Sequence, residues 1–240
     1  MHRFFLNSRA IDGKNVSITG SDVRHIRDVL RLGPGDAVTV IDESAGEYDV
    51  ELVSLADSEV RGRIIAARRP AAPEVFLALF QGLPKGTKFD EVIEKATELG
   101  ADRIAPVIME RCVARPDAAT DKRVERWRRV AEAAAKQSRR PTLPQIDAPL
   151  SWDGFINALA DFDLAVVFWE GATEPANIAL AGLAGQRLAV VIGPEGGLAA
   201  AEVTALAALG AKTAWLGPRI LRTETAPVAA LAIVNFILQR

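Results

Sequence analysis

The chain has 240 residues, of which 49% are hydrophobic, and a formal net charge of −2 at pH 7, which suits one large domain or two smaller ones. Its single cysteine, Cys112, excludes an internal disulfide and a cysteine-cluster metal site. Since no apolar run approaches the length of a membrane span and the first residues lack a signal-peptide core, we expect a cytoplasmic protein.

Residues 1–72 have the pattern of a small, mostly β domain. Short segments of alternating or β-branched character are separated by turn residues such as Gly33-Pro34-Gly35. Four strands are predicted, over residues 16–19, 37–41, 47–53 and 59–66. A barrel-like domain of this size has no room for a deep catalytic cleft, so we expect the catalytic site elsewhere.

One helix interrupts these strands. Ser21 is its predicted N-cap, and four apolar residues share one helical face: Val23, Ile26, Val29 and Leu30. Its polar side carries Arg24, His25, Arg27 and Arg31. With Arg3 and Arg9, these cations could contact a phosphate backbone, although such side chains on a helix are more often only solvated. A zinc site is not expected, because no cysteine lies near either histidine.

The predicted domain boundary lies at residues 68–73, where two prolines interrupt the apolar pattern, so the domains are 1–72 and 73–240. Beyond this boundary, apolar strands alternate with helices, which predicts a mostly parallel sheet with crossover helices. The predicted strands cover residues 74–80, 103–108, 164–168, 188–192 and 212–216. The predicted helices cover residues 88–99, 120–138, 152–159 and 199–209, and a last helix is capped by Thr223.

The charge is unevenly distributed along the chain. Residues 103–140 carry 11 basic and 5 acidic side chains, a net charge of +6, whereas the remaining chain is acidic. A basic segment in an acidic chain is a candidate surface for phosphate or nucleic acid. The alternative is a solvated helix face, which the charge alone slightly favours.

Residues 188–226 contain two loops that each follow an apolar run. The first run stops at Gly193-Pro194-Glu195-Gly196-Gly197, and the second stops at Gly217-Pro218. Open α/β sheets place ligands at the carboxyl ends of their strands. Both loops are therefore predicted to face one pocket.

The motifs that the sequence lacks narrow the classes of ligand that this pocket could bind. Neither the P-loop pattern nor the dinucleotide fingerprint G-x-G-x-x-G occurs. The carboxylate of Glu195 would repel a phosphate and suits a hydroxyl, an ammonium group or a base edge. No serine–histidine pair or C-x-x-C motif indicates nucleophilic or redox chemistry. By elimination, an adenosine-like cofactor that is neutral or cationic remains.

Several ordered sequence blocks together resemble one known family. They are residues 1–5, His25 with 29–32, Gly35-Asp36, Lys85-Gly86, residues 95–100, Glu110-Arg111, Trp127, Gln137-Ser138 with Arg140, residues 192–197, Leu216-Gly217 and residues 219–226. The resemblance covers nearly the whole chain. It is to the ribosomal small-subunit methyltransferase E family, which are 16S rRNA uridine N3-methyltransferases of the knotted SPOUT superfamily.

The resemblance implies an α/β fold with an N-terminal PUA-like β-barrel domain (1–72) and a C-terminal SPOUT domain (73–240) that has a mostly parallel sheet and a trefoil knot. It also implies a homodimer that binds S-adenosyl-L-methionine and acts on 16S rRNA of the small ribosomal subunit, with no metal and no membrane. By similarity, the cofactor contacts are Trp169, Glu170, Ile192, Gly193, Glu195, Gly196, Gly197, Leu216, Gly217, Ile220, Leu221, Thr225 and Ala226.

Methylation of uracil N3 requires removal of the imide proton and stabilisation of the charge that develops on O2 and O4. We expect Arg222 to stabilise that charge, because guanidinium can donate to a carbonyl oxygen. Glu224 is the nearest acid. Its expected role is mainly structural, through backbone N–H groups at the start of a helix.

The RNA contacts are expected from cations of both domains, with an affinity that falls as salt rises. The predicted RNA-binding residues are Arg3, Arg9, His25, Arg31, Arg111, Arg126, Gln137 and Arg140. The chain has Lys136 where the family often has an acidic residue, so an ion pair expected from that position does not carry over from the resemblance. Two alternatives stay open: methylation of a ribose 2′-hydroxyl, and a non-catalytic RNA-binding protein.

Overall fold

The structure is a computed structural model that describes residues 1–69, 75–181 and 187–238. The chain divides into two units. The N-terminal unit comprises Met1–Ala72 and Ala135–Thr142, and the C-terminal unit comprises Pro73–Ala134 and Leu143–Arg240. Most of the predicted boundary segment, and residue 74 of the predicted strand after it, lie outside the described residues. The sequence did not predict that Ala135–Thr142 belongs to the N-terminal unit.

A six-stranded sheet forms most of the N-terminal unit. Its strands are β1 (Arg3–Phe5), β2 (Ile11–Asp12), β3 (Asn15–Thr19), β4 (Ala37–Ile41), β5 (Glu47–Leu55) and β6 (Glu59–Arg68). Their order is β1-β4-β5-β6-β3-β2, and all neighbours are antiparallel except β1 and β4. The four predicted strands are confirmed. Strands β1 and β2 were missed because three and two residues are too few to show an alternation.

The predicted N-terminal helix is shorter and wider than its sequence pattern indicates. Helix α1 (Ser21–Arg24) continues as a π-helical turn over His25–Val29, closed by the hydrogen bond from Leu30 N to His25 O at 2.9 Å. Gly20, not Ser21, occupies the cap position, and no side chain caps the helix. Because the wider turn departs from the 3.6-residue period, Val29 is 66% exposed and the prediction that it faces the core is wrong.

The C-terminal unit is built on a parallel sheet. Its strands are β7 (Phe76–Gly82), β8 (Arg103–Val107), β9 (Gln145–Ile146), β10 (Leu164–Phe168), β11 (Arg187–Ile192) and β12 (Lys212–Ala214). Their order is β12-β10-β11-β7-β8-β9, and every neighbouring pair is parallel. The predicted parallel sheet is confirmed, with the two-residue strand β9 added to the five predicted strands.

The helices of the described chain after β7 follow the predicted positions closely. They are α2 (Lys88–Glu98), α3 (Thr120–Ser138), α4 (Trp152–Leu159), α5 (Ala176–Ala179), α6 (Ala200–Ala208) and α7 (Ala226–Leu238). The short helix α5 was not predicted. None of the helices in the described parts of the chain combines the length and apolar character that crossing a bilayer requires.

The core of the C-terminal unit lies on both faces of its sheet. In β11, the residues from Leu188 to Val191 are all completely buried. Successive residues of a strand point to opposite faces, so both faces are covered, as in other parallel sheets. The parallel strands β7, β10, β11 and β12 all end at the same edge, and the loops that follow them meet there.

Candidate functional site

A cavity of about 780 Å³ lies at the carboxyl edge of the parallel sheet, within the C-terminal unit. Three segments form most of its wall: residues 168–170 after β10, residues 192–198 after β11, and residues 215–224 after β12. Lys88 and Ala226 complete the lining. The expectation that two glycine-containing loops share one pocket is confirmed, and the segment after β10 joins them.

Twelve of the thirteen predicted cofactor residues line this cavity, and the exception is Thr225. The Thr225 side chain is exposed, and its backbone N–H donates to Arg222 O at 2.9 Å. Thr225 thus shapes the backbone turn before α7 and does not line the cavity wall. The three segments that the family resemblance brought together are neighbours in the structure. Their contacts with a cofactor stay a prediction.

Two glycines allow these segments to approach closely. Gly197 has a φ of 69°, and a Cβ there would lie 2.7 Å from the Glu170 carboxylate oxygen Oε1. A Cβ on Gly82, at the end of β7, would lie 2.4 Å from the backbone nitrogen of Pro194. Larger side chains at either position would push the cavity segments apart.

Gln81 is a buried residue of the site region that sequence reasoning missed. Its side chain is completely buried in β7, and its Nε2 donates to Gly193 O and to Thr223 Oγ1, each at 3.0 Å. The amide therefore ties together two cavity loops that are 30 residues apart in sequence. The available signal was a single polar residue in the otherwise apolar strand Phe76–Gly82.

The prediction that Thr223 caps the last helix is wrong. Helix α7 begins at Ala226, and the Thr223 hydroxyl accepts from Gln81 and donates to Gly193 O at 3.4 Å. With Thr223 6% exposed, its hydroxyl serves the contact between the loops.

Glu195 also joins neighbouring loops. Its Oε1 accepts hydrogen bonds from the Lys85 backbone N–H at 3.0 Å and from Lys88 Nζ at 3.3 Å. Partial burial raises the pKa of this carboxyl, but the hydrogen bonds from the Lys85 and Glu195 backbone and from the Lys88 ammonium outweigh burial, so the pKa lies below its usual value. A carboxylate held in this way suits a structural role in the loop.

The two predicted catalytic residues both line the cavity, but their surroundings differ. Arg222 is exposed and forms no ion pair within the described residues. Glu224 is mostly buried, and its Oε2 has no hydrogen-bond partner in the described chain; the nearest cation is Lys88, with Nζ 3.8 Å away. The expected contact of Glu224 with backbone N–H groups is thus not formed.

Three of the predicted RNA-binding residues are engaged in the fold. Arg3 pairs with the buried Glu47 at 2.8 Å, and Arg140 is only 9% exposed. Arg126 pairs with Asp90 at 2.6 Å. Arg3 and Arg140 are therefore not the surface cations that we expected from the sequence, because Arg3 is bound to Glu47 and Arg140 is buried.

The other predicted RNA-binding residues are exposed: Arg9, His25, Arg31, Arg111 and Gln137. Arg111 donates to Gly196 O at 3.0 Å, which places it at the rim of the cavity. Lys136, which departs from the family pattern, pairs with Asp22 at 3.2 Å. RNA binding by the exposed residues stays a prediction.

Comparison with known proteins places this architecture in a family. The RNA methyltransferase domain model matches residues 72–235, and the RNA methyltransferase PUA domain model matches residues 18–65. The chain is 35% identical over 249 residues to a ribosomal RNA small subunit methyltransferase E of Bacillus subtilis (strain 168), with 98% of this chain and 96% of the relative covered.

Two solved structures are similar over the whole chain. One is a ribosomal RNA small subunit methyltransferase E from Neisseria gonorrhoeae bound to S-adenosyl methionine, with 28% identity, a TM-score of 0.85 and coverage of 99% and 98%. The other is the structure of a protein from Legionella pneumophila in complex with the bound cofactor SAM. It has 25% identity and a TM-score of 0.87, and the match covers 98% of this chain and 96% of that chain. With a PUA domain followed by a methyltransferase domain, the chain belongs to the ribosomal RNA small subunit methyltransferase E family.

Proposed function

We propose that this protein transfers a methyl group from S-adenosyl-L-methionine to N3 of a uridine in 16S rRNA of the small ribosomal subunit. One observation carries the proposal: in a chain of this family, three separate segments predicted to contact the cofactor line a single cavity. The names of the relatives, which specify ribosomal RNA of the small subunit and bound S-adenosylmethionine, support the substrate and the donor.

The residues of the cavity fit such a donor. The volume of the cavity lies in the upper part of the range of about 300–1,000 Å³ that is usual for small-molecule sites. Apolar side chains, including Phe168, Ile192 and Leu221, suit the adenine, and the Glu170 carboxylate beside Gly197 suits a cationic ligand. When bound, the donor supplies an electrophilic methyl group on a positively charged sulfur.

Arg222 supplies the cation that the chemistry needs. As uracil N3 loses its proton, negative charge spreads to O2 and O4, and a guanidinium can donate to either oxygen. Arg222 lines the cavity and forms no ion pair within the described residues, so its donors face solvent in this structure. It is suited to contact the base when the RNA binds.

A homodimer is the proposed assembly. On α7, Phe236 is 86% exposed, Ala232 is exposed and Ile233 is partly exposed, which forms an apolar stripe at helical spacing. Ile220, on the cavity wall, is 90% exposed. We propose that a second copy of the chain packs against these side chains and buries them. Light scattering after chromatography should show a dimer that Phe236→Glu converts to a monomer; a wild-type monomer would contradict this assignment.

The fold and location complete the proposal. We propose that the segment before α7 threads the trefoil knot of the SPOUT superfamily and that the reaction occurs in the cytoplasm. The PUA domain and the exposed cations, among them Arg9, Arg31 and Arg111, hold the rRNA. The target uracil must leave its stack to reach the cavity.

The decisive test is nucleoside mass spectrometry of small-subunit rRNA from a strain that lacks this gene. The proposal predicts that one 3-methyluridine disappears and returns when the gene is restored. Loss of a 2′-O-methylated nucleoside would indicate the ribose reaction instead. An unchanged set of nucleosides, together with no binding of S-adenosylmethionine to the purified protein, would indicate a non-catalytic RNA-binding protein.

A further inference from the structure

Lys88 and Glu224 form a charged pair that lines the cavity. Lys88 Nζ lies 3.8 Å from Glu224 Oε2 and 3.3 Å from Glu195 Oε1. The Glu224 side chain is 14% exposed, and Oε2 has no hydrogen bond within the described residues. Burying a carboxylate oxygen without such a bond costs free energy. A carboxylate oxygen without a hydrogen bond at the edge of a cavity indicates a ligand that donates a hydrogen bond to it.

The Watson–Crick edge of uracil has the complementary pattern. It presents an N–H donor between two carbonyl acceptors, so its partner must offer an acceptor between two donors. Glu224 provides the acceptor, and Lys88 and Arg222, which line the same cavity, provide donors. Glu195 is less suited to this role, because its Oε1 already accepts bonds from Lys85 and Lys88.

We propose that Glu224 is the general base for uracil N3 and that Lys88 donates to an adjacent uracil carbonyl oxygen. This inference rests on the proposed function and deepens it. Glu224 takes the proton as the N3–H bond breaks, and the N3 electron pair forms the bond to the methyl carbon. The C–S bond breaks with its electrons remaining on sulfur, which becomes a neutral thioether. Lys88 and Arg222 stabilise the negative charge on O2 and O4 meanwhile.

The same arrangement selects uracil over cytosine. Cytosine has no proton on N3, so its N3 lone pair would face the Glu224 carboxylate. Its exocyclic amino group would face a cationic donor, Lys88 or Arg222, with no acceptor to receive its hydrogen. Each mismatch leaves a polar group of the site without a partner, which is how sites built for hydrogen bonding reject near analogues.

The test uses Glu224→Gln and Lys88→Met, with the exposed residues Glu91 and Lys212 changed to Gln and Met as matched controls. We expect methyl transfer to fall by about 10²–10⁴-fold for Glu224→Gln and about 10²–10³-fold for Lys88→Met, with both controls near wild type. Calorimetry should show that all four variants still bind S-adenosylmethionine, and turnover is compared at saturating S-adenosylmethionine so that the loss reports methyl transfer.

A substrate analogue separates a base from a structural residue. The fluorine of 5-fluorouracil makes N3 more acidic. On RNA with 5-fluorouridine at the target, the ratio of Glu224→Gln activity to wild-type activity should therefore rise at least about tenfold. A structural role would leave the ratio unchanged and overturn the inference, as would full activity of Glu224→Gln on ordinary RNA. If wild type forms 3-methyluridine while both variants match it, only this inference fails. If wild type forms none, the proposed function fails with it.

Discussion

Each unit of this protein has a mostly buried glutamate, and the two carboxylates are bonded in different ways. In the N-terminal unit, the buried Glu47 accepts from Arg3 at 2.8 Å and from Arg68 at 3.0 Å, and Arg68 also binds Asp49. At the cavity of the C-terminal unit, Oε2 of Glu224 is buried without a hydrogen bond in the described chain. Polar groups that bond one another stabilise a fold, whereas groups left without partners beside a cavity are available to a ligand.

Outside the Lys88–Glu224 pair, the largest effect should come from removing a cavity cation. Arg222→Ala is expected to slow methyl transfer by about 10²–10³-fold, because a donor to the developing uracil charge is lost. Since Arg222 has no ion pair in the described chain, the melting temperature should stay near that of wild type. Turnover is measured at saturating S-adenosylmethionine, with the exposed Arg61→Ala of β6 as control. Equal turnover of both variants would remove Arg222 from the mechanism.

Removing the central carboxylate of the N-terminal unit should reduce stability. Glu47→Ala leaves the mostly buried Arg3 without its partner, which is expected to lower the free energy of unfolding by about 3 kcal/mol. Glu51→Ala on the same strand breaks an exposed pair with Arg63 and should cost about 0–1 kcal/mol. Urea unfolding, monitored by circular dichroism, measures the free energy of unfolding of both variants. Similar losses would show that the Glu47 network contributes no more than a surface pair.

A substitution at Gln81 tests whether a residue that joins two cavity loops also affects ligand binding in the cavity. Gln81→Leu leaves the Gly193 carbonyl without the Gln81 donor and should cost about 1–3 kcal/mol of stability. S-adenosylmethionine should also bind more weakly, because the two loops lose their shared contact. The exposed Gln145→Leu is the control for both measurements. Unchanged affinity in a folded Gln81→Leu protein would limit Gln81 to a role in folding.

The smallest effect concerns the surface cations. Arg128 and Arg129 on α3 are exposed and form no ion pair in the described chain. If both contact RNA phosphates, changing them to Ala should reduce the slope of log affinity against log salt by about 1.4, on the scale of about 0.7 per contact for single strands. Filter binding at several salt concentrations measures this slope. An unchanged slope would exclude α3 from the RNA surface.

Local patterns predicted most of the elements that build the cavity. Apolar runs that stop at glycine located β11 and the loop at residues 193–197, and the alternation of strands with helices predicted a parallel sheet. Because parallel strands end at one edge, the sequence also predicted that the loops face one pocket. Naming the ligand, however, required the resemblance to a family, since elimination alone left several adenosine-like molecules.

Partners that are distant in sequence could not be predicted. Thr223 has the local pattern of a helix cap, yet its hydroxyl binds Gln81, which is 142 residues away. Arg3 was assigned to RNA because its charge is visible in the sequence, whereas its partner Glu47 is visible only in the folded sheet. Side-chain periodicity reports which face a residue occupies and carries no information about the group it meets there.

The most direct test of the account is a calorimetric titration of S-adenosylmethionine into wild type, Gly197→Ala and Gly210→Ala. Both glycines have a positive φ, 69° and 87°, so the substitutions carry similar backbone strain. A Cβ at Gly197 meets the Glu170 carboxylate of the cavity, whereas a Cβ at Gly210 meets nothing within 4 Å. The account predicts binding by wild type and Gly210→Ala, and at least about tenfold weaker binding by Gly197→Ala. No binding by wild type, or equal affinity of all three proteins, would contradict it.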